Sequence, residues 1–447
     1  MPARHPYRHR GRLDRASDRF RTEVIGRSAE GRPIVAILFG GDPSSGGGPR
    51  TLVVAGQHGD EPASVEAALD LAERARTQEL HAALAIVPCA NPDGWAAGSR
   101  HVSSGRDLNR DHLLLETPEA RVLHRFARRF QPDLAVDVHT FKGRRRALLD
   151  LGCEHAADIL LELSTHAQAA PHYEEARRRL LAPLLSDLHQ GGIRAGRYVL
   201  WRSGRVRTST TDRLDLRNGL AGRVGAWGLL VEAREASRRQ DAAPVEALSR
   251  TLRWLTRTST LPPLRAPGDQ PVTLDVRRRR GGQIDIWMVQ CDASEPPLAV
   301  RVPVDHELVA ERLTALPRGY MVPSCHRCLH QVLERHGFAP APLPGGIAVW
   351  EAQLDGPRRS RHAGRPFRAV VSGWQRVQDS MRDHIFYPAP PDHPGALAAL
   401  LDPRARHGLA RYPSLVSIPD ARGVHPIKRV VMEPDSRAGS LPRWDET

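Results

Sequence analysis

Lysine is nearly absent from this chain. Of its 65 basic residues only Lys142 and Lys428 are lysines, so the other 63 are arginines. Aromatic residues make up 5% of the sequence, and the arginines are spread along it rather than interleaved with aromatics. The formal net charge of +14 therefore indicates a compositional bias rather than a basic face built for nucleic acid. We expect no nucleic-acid partner.

Long apolar runs are also missing. No stretch approaches the roughly 18 to 20 apolar residues that a membrane span requires. The amino-terminal segment MPARHPYRHRGRLDR is basic but lacks the apolar centre of a secretory signal. These two absences lead us to expect a cytoplasmic protein with no membrane partner. A hydrophobic content of 40% is typical of a folded chain with a large core.

Cysteine is scarce, and its five positions are odd in number and scattered, which argues against a disulfide framework. Cys325 and Cys328 form a CxxC motif, but the second pair that a structural zinc site needs is missing. The same stretch predicts a helix of roughly residues 326–336, because Pro323 and Ser324 precede it and Gly337 follows. We therefore favour a helix over a metal site here.

Three residues of the types that bind zinc each follow a short apolar run. His58 and Glu61 follow TLVVAGQ, and His139 follows LAVDV. Runs of this length and composition predict parallel strands buried on both faces. Ligands of open α/β sheets bind beyond the carboxyl ends of such strands. Two imidazoles and one carboxylate suit catalytic zinc, which keeps a further position for water.

Arginines and a carboxylate accompany this set. Arg100, Asn109 and Arg110 lie in the segment GSRHVSSGRDLNRD, and Glu232 ends the apolar run AWGLLVE. A guanidinium fork matches a planar carboxylate better than an ammonium does. A carboxylate beside a metal site can accept a proton from water and pass it to a leaving group.

Strands alternate with helices from Thr51 to about residue 256, which predicts an α/β fold with a mostly parallel mixed sheet flanked by helices. Residues 159–168 and 173–190 are predicted as helices. Prolines 262, 263 and 267 mark a linker. Beyond it, short strands broken by a turn at residues 277–282 predict a smaller α+β or β-rich region. We expect two domains, 1–260 and 268–447.

The strings HGDE, NPDG, GSR, DLNRD, DVH and LLVEA occur in this order. In this order they resemble the zinc metallocarboxypeptidases of the carboxypeptidase A/B type, and more narrowly the bacterial branch with an added C-terminal domain. GRSAEGRPI is similar to the entry strands of that family. The resemblance covers roughly residues 20–240. It implies one zinc ion bound by His58, Glu61 and His139.

The resemblance also implies roles for the polar residues. Arg110 with Asn109 would hold the terminal carboxylate of a peptide, Arg100 would polarise the scissile carbonyl, and Glu232 would act as general base. Arg106 competes for the arginine roles and Glu235 competes with Glu232.

Two further residues have open roles. The family's mobile tyrosine has no aligned counterpart, so Tyr198 is the candidate for that contact. Asn218 either lines a specificity pocket or forms the entry turn of the last strand.

The expected function is therefore hydrolysis of the C-terminal peptide bond by a zinc carboxypeptidase. Two alternatives stay open. One is an amide deacylase of N-acyl amino acids, of the aspartoacylase or succinylglutamate desuccinylase type, which shares the metal set. The other is a binding protein that keeps the fold without catalysis. In either enzyme the substrate carries a free carboxylate.

Overall fold

The structure is a computed structural model. It describes residues 20–40, 49–77, 80, 82–144, 146–150, 152–202, 205–208, 215–235, 243–256, 261–262, 264, 271–291, 296–358, 368–377, 381–405, 408–412, 414–416 and 423–432. Among these residues, no helix combines the length and the apolar character needed to cross a bilayer.

The largest sheet has eight strands in the order β1-β2-β4-β3-β5-β11-β7-β8. The strands are β1 Phe20–Arg27, β2 Pro33–Phe39, β3 Thr51–Val54, β4 Leu84–Val87, β5 Leu134–Phe141, β7 Ile159–Leu163, β8 Ala195–Arg197 and β11 Trp227–Arg234. The pairs β4–β3, β3–β5, β5–β11 and β7–β8 are parallel, whereas β1–β2, β2–β4 and β11–β7 are antiparallel. The predicted mostly parallel mixed sheet is confirmed.

Helices connect and flank these strands. They are α1 Pro62–Ala75, α2 Pro92–Ala97, α3 Pro118–Phe130, α4 Arg146–Leu149, α5 Tyr173–Ala176, α6 Ala182–Gln190, α7 Ala221–Val224 and α8 Ala243–Leu255. Short 3-10 and π turns occupy Leu108–Arg110, Ala167–His172, Arg177–Leu181 and Leu216–Leu220. Helix α3 starts at Pro118, since the Thr117 hydroxyl caps it by accepting the Ala120 N–H at 3.2 Å.

One face of the sheet packs against α3. Leu52 of β3 and Ala135 of β5 share a core cluster with Val122 and Phe126 of α3 and with Leu216. Ala135 lies on the same sheet face as Asp137 and His139, because strand side chains alternate with a period of two. The apolar core therefore lies directly beside the polar edge that carries the predicted metal ligands.

Two further sheets follow a different, largely antiparallel pattern. The first has the order β6-β12-β13-β10-β9, with β6 Cys153–His155, β9 Val199–Arg202, β10 Arg205–Thr208, β12 Val272–Gln290 and β13 Leu298–Thr314. The second has the order β16-β15-β18-β14-β17, with β14 Gly319–Pro323, β15 Ile347–Arg358, β16 Arg368–Arg376, β17 His384–Pro388 and β18 Val424–Met432. Helices α9 Arg327–Arg335 and α10 Pro394–Leu401 and the 3-10 turn Leu409–Arg411 accompany them. The expected β-rich region is present.

The chain divides into two compact units. One holds the described residues of Met1–Thr165, His172–Pro263 and Arg278–Leu308, and the other those of His166–Pro171, Leu264–Arg277 and Val309–Thr447. Residues 278–308 are thus grouped with the first unit. The predicted limits at 260 and 268 stay a prediction about independently folding domains.

Two secondary-structure predictions are wrong. Residues 159–163 of the predicted helix 159–168 form the buried strand β7 instead. The predicted turn at residues 277–282 lies inside β12, which runs without interruption through the arginine run and the two glycines that follow it. Helix α9, in contrast, is confirmed. Cys325 precedes it, Cys328 lies in its first turn, and both are exposed free thiols.

Candidate metal centre and active site

His58, Glu61 and His139 meet at the carboxyl end of two adjacent parallel strands. His58 and Glu61 follow β3, and Glu61 is the last residue before α1, where Pro62 starts the helix. His139 lies in β5, which pairs directly with β3. Parallel pairing brings the two strand ends to the same edge of the sheet. All three residues are buried, with exposed fractions of 3%, 5% and 3% for His58, Glu61 and His139.

The two imidazoles face opposite oxygens of one carboxylate. His58 Nδ1 lies 2.7 Å from Glu61 Oε1, and His139 Nδ1 lies 2.9 Å from Glu61 Oε2. The ring centroids are 4.6 Å apart. Among the described residues, these three side chains form the group whose ligand-type atoms all lie within 4.8 Å of one another. Two nitrogens and a carboxylate converging on one point fit a divalent metal of the zinc type.

Each imidazole has a carboxylate behind it. His58 Nε2 lies 3.1 Å from Asp107 Oδ1, and His139 Nε2 lies 2.7 Å from Asp137 Oδ1. An imidazole that donates its Nε2 hydrogen to a carboxylate keeps the Nδ1 lone pair for a metal. This arrangement on both histidines is the strongest sign that the cluster is built to hold a cation.

At the centre, burial and neighbouring charges shift the pKa values of Glu61 and His139 in opposite directions. Burial raises the pKa of Glu61, but the two histidines outweigh it and hold that pKa well below the usual range. Burial lowers the pKa of His139, yet Asp137 and Glu61 raise it well above the usual value. The carboxylates of Glu61 and Asp137 therefore favour positive charge at this point. A divalent ion bound to Nδ1 would supply that charge in place of imidazole protons.

The loop that carries His58 is held against helix α2. The Gly59 N–H donates to the Ser99 carbonyl at 2.9 Å, and the Asn91 amide donates to the Gln57 carbonyl at 3.2 Å. A Cβ at Gly59 would lie 2.0 Å from the carbonyl carbon of Gly94. Only glycine fits this approach. The NPDG string therefore acts as a support for the HGDE string.

Of the two predicted arginines, Arg100 lies beside the donor set, whereas Arg110 ends the turn Leu108–Arg110. The half-buried Arg100 donates to Asp107 Oδ2 from Nη2 at 3.0 Å, and its Nη1 lies 3.5 Å from Glu61 Oε1. Arg110 is exposed and donates to the Asn109 carbonyl at 2.5 Å. The competitor Arg106 is directed elsewhere, because it pairs with Glu116 at 2.5 Å.

Glu232 lies next to His139 across the sheet. The two residues are register partners in the parallel pair β11–β5, so their side chains project from the same sheet face. Glu232 is half-buried. Its competitor Glu235 lies past the strand end, is exposed and contacts the Thr140 hydroxyl at 3.5 Å. Burial raises the pKa of Glu235, and the charges of Glu61 and Asp60 add to that effect.

Asn109 is engaged within the protein. Its Nδ2 donates to Asp137 Oδ2 at 3.1 Å, and its Oδ1 accepts the Leu216 N–H at 2.8 Å. Asn109 is 4% exposed. In this structure it supports Asp137, while its predicted contact with a substrate carboxylate stays a prediction.

Tyr198 is buried in an apolar cluster with Phe141, Leu160 and Leu230, on the sheet face that carries Glu232. Asn218 is also buried, and its Oδ1 accepts the Thr165 N–H at 2.7 Å. Of the two alternatives for Asn218, its contacts fit the entry turn to the last strand. The roles of both residues toward a substrate stay predictions.

Sequence reasoning missed Asp107 and Gln57. Asp107 stands in the DLNRD string, and its partner His58 lies 49 residues earlier, so no local pattern indicates the contact. Gln57 directly precedes His58 and reaches Asp137 at 2.6 Å. A polar residue at the very end of an apolar run was the one signal in the sequence for Gln57.

Comparison with known proteins gives two classes of match. Residues 47–174 match the model of the family described as the succinylglutamate desuccinylase/aspartoacylase catalytic domain. The chain is also 27% identical over 187 residues to carboxypeptidase 2 of Trichophyton tonsurans, covering 39% of this chain and 35% of that protein. Carboxypeptidase 2 of Trichophyton rubrum gives the same identity over 186 residues. The chain thus spans less than half the length of these relatives.

Among solved structures, the chain is similar to a metallo-carboxypeptidase from Pseudomonas aeruginosa in complex with (2-guanidinoethylmercapto)succinic acid. The two are 21% identical, the match covers 56% of this chain and 68% of the other, and the TM-score is 0.42. Both classes that the sequence suggests, carboxypeptidases and deacylases, are represented among the sequence matches. The A/B type and the added C-terminal domain stay predictions.

Proposed function

We propose that this chain is a zinc-dependent hydrolase that cleaves the amide bond next to the free carboxyl terminus of a peptide. The observation that carries the proposal is the His-Glu-His donor set at one sheet edge, with Arg100 beside it and Glu232 opposite His139 in the strand register. His58, Glu61 and His139 would hold the ion. When bound, zinc supplies a Lewis acid and lowers the pKa of a water molecule to near neutrality.

The proton transfers fall to Glu232. Its register position opposite His139 places a half-buried carboxylate on the face that carries the donor set. A carboxylate there accepts a proton from the attacking water and returns it to the leaving amine. Glu232 would therefore act first as the general base and then as the general acid.

The two arginines would bind different negative charges of the substrate, one on the carbonyl oxygen and one on the terminal carboxylate. Arg100 is held by Asp107 beside the donor set, so its guanidinium is fixed where charge develops on a carbonyl oxygen. Arg110 is exposed at the end of the turn that follows Asp107, and would offer a planar fork to a terminal carboxylate. The two cations are thus suited to different oxygens of one substrate.

A second candidate function is supported by a specific observation. The family model that matches residues 47–174 is that of a desuccinylase and aspartoacylase domain, and the matched span contains the whole His-Glu-His set. A deacylase of N-acyl amino acids would use the same ion and the same carboxylate clamp. The difference lies in the size of the acyl group that the site accepts.

The test loads the full chain with zinc and compares peptides that differ in the last residue with small N-acyl amino acids. Release of the last amino acid from peptides supports the carboxypeptidase, whereas cleavage confined to N-acyl amino acids supports the deacylase. Absence of cleavage from both panels, with zinc bound, overturns both proposals.

Arg110 and Arg106 provide a matched pair of variants. Arg110→Gln is expected to lower kcat/KM about 10- to 100-fold, because a hydrogen bond to a charged group contributes about 1.5 to 3 kcal/mol. Arg106→Gln removes a surface pair with Glu116 and should leave kcat/KM unchanged. Equal effects of the two variants would remove Arg110 from the substrate clamp.

A further inference from the structure

A line of buried polar side chains leads away from His139 on the side opposite Glu61. Gln57 Nε2 lies 2.6 Å from Asp137 Oδ1, and Gln57 Oε1 lies 2.9 Å from His112 Nε2. His112 Nδ1 then lies 3.2 Å from His124 Nε2. The exposed fractions of Gln57, His112 and His124 are 0%, 0% and 1%. Solvent therefore does not replace any of these partners.

The chemistry of the groups fixes the direction of every hydrogen bond. The carboxylate of Asp137 only accepts, so the Gln57 amide must donate to it and must turn its carbonyl oxygen to His112. His112 Nε2 must then carry the hydrogen. Burial lowers the pKa of His112, which favours the neutral ring, and in the neutral ring with hydrogen on Nε2 the Nδ1 atom is an acceptor. His124 consequently donates from Nε2.

We propose that Gln57, His112 and His124 are positioning residues for the metal centre, a directed chain that holds Asp137 so that His139 presents its Nδ1 lone pair to the ion. The inference rests on the proposed function only in taking His139 as a metal ligand. None of the three residues touches the substrate or the ion in this arrangement.

The critical member is His112, because it decides which way the Gln57 amide points. The two ends of a glutamine amide have nearly the same shape. If the amide rotated by half a turn, its carbonyl would face the Asp137 carboxylate, and its NH2 group would face the Nε2 hydrogen of His112. Both contacts would be repulsive. His112 thus penalises the orientation that would push Asp137 away from His139.

His112 is itself held in place. Its ring stacks on that of His124 in helix α3, with centroids 5.4 Å apart. A Cβ at Gly219 would lie 2.6 Å from the His112 Cβ, so the backbone packs closely on the other side. Asp137 receives further support from Asn109, which donates to its second oxygen at 3.1 Å. The metal ligand is therefore connected to a helix of the core by consecutive hydrogen bonds.

The first measurement uses the metal-free wild-type protein with 15N-labelled histidine. Nitrogen chemical shifts report which ring nitrogen carries hydrogen. The proposal requires the Nε2–H form for His112 and His124. An Nδ1–H form of His112 would overturn the directed chain, whatever any variant does.

The second measurement is the zinc dissociation constant, determined by competition with a chelator. His112→Phe keeps an aromatic ring but removes the Nε2 donor. It should weaken zinc binding about 10- to 100-fold, as loss of a residue that supports a metal ligand commonly does. His112→Gln places an amide donor near the former Nε2 and should restore most of the affinity. Gln57→Met, which removes both ends of the amide, should weaken binding as His112→Phe does.

The control is His425→Gln, which replaces an equally buried histidine in the second unit. It should leave zinc affinity unchanged. Unchanged affinity in a folded His112→Phe or Gln57→Met protein would overturn the proposal. If the variants weaken zinc binding but no amide substrate is cleaved, the proposed function fails and the positioning chain stands. If an amide substrate is cleaved but the variants leave zinc affinity unchanged, the positioning chain fails and the proposed function stands.

Discussion

Glu232 and His139 are direct partners in the register of two parallel strands. The hydrogen-bonded backbones of two paired strands, rather than a loop, therefore hold the Glu232 carboxylate next to a histidine of the candidate metal centre. The distance between such partners is fixed by the sheet, which is the rigid support that a proton-transfer group requires.

The first prediction follows from this pair. Glu232→Gln should lower kcat about 10²- to 10⁴-fold, because the amide cannot accept a proton from water. Zinc content, measured by metal analysis, should stay at one ion per chain. Glu235→Gln is the matched control, since it changes a nearby exposed carboxylate beyond the strand end. A larger loss in Glu235→Gln than in Glu232→Gln would transfer the role to Glu235.

The second prediction concerns Asp107. Asp107→Asn keeps the shape of the side chain but removes the charge that faces His58 Nε2 at 3.1 Å. We expect zinc affinity to fall about 10- to 100-fold. Chelator competition measures the change. Asp70→Asn, which changes a half-buried carboxylate paired with Arg74 on helix α1, should have no effect on zinc affinity.

The third prediction concerns metal removal. An ion that binds only the folded chain stabilises it by about 2.7 kcal/mol at a free concentration of 100 times Kd. Chelator treatment should therefore lower the midpoint of thermal unfolding, and added zinc should restore it. In Glu61→Gln the zinc-dependent shift should be much smaller. A full shift in that variant would show that zinc stabilises the protein from another site.

The fourth prediction is a pH dependence in the second unit. His425 is fully buried, its Nε2 donates to the Ala410 carbonyl, and its Nδ1 accepts the Ile427 N–H. Burial lowers its pKa to about 4, from an ordinary value of 6.5. Between these pH values the unfolded state binds more protons, so stability falls as the pH decreases. The full loss is about 3 kcal/mol once the pH is below 4.

Denaturant unfolding at several pH values measures this loss. His425→Gln should be less stable than wild type at pH 7 but should show a shallower decrease between pH 6.5 and 4. Parallel pH profiles for the two proteins would contradict the assignment.

Much of the candidate metal centre could be predicted because its residues lie at or just beyond the ends of short apolar runs. The apolar runs before His58 and His139 are buried on both faces, so the sequence alone indicates parallel neighbours and a shared edge. The start of α3 has an equally local cause, since Thr117 caps the helix and Pro118 occupies its first turn. Predictions succeeded where the cause lies within a few residues of the effect.

The strand β7 could not be predicted for the opposite reason. Its sequence ILLEL contains a glutamate that suggests the polar face of a helix. In the structure Glu162 is fully buried, because Arg197 pairs with it at 2.7 Å and the Tyr173 hydroxyl donates to it at 2.6 Å. Both partners are distant in sequence. A buried charge becomes predictable only when its partner is known.

The inner role of Asn109 has a similar origin. From the sequence it is a neighbour of Arg110 and a plausible substrate ligand. In the structure the backbone of Leu216, 107 residues later, takes up its oxygen. No sequence pattern around Asn109 indicates this contact with Leu216, because the two residues come together only in the folded chain.

The contact between Gly59 and Gly94 has a consequence for how this centre can be inherited or transplanted. A side chain at position 59 would overlap the backbone of α2, so the loop with His58 and Glu61 keeps its shape only beside that helix. The HGDE and NPDG segments therefore depend on each other for their conformation, although Gly59 and Gly94 are 35 positions apart in the sequence. A designer who grafts the metal loop onto another sheet must carry the short helix with it, and natural variation at either string is constrained by the other.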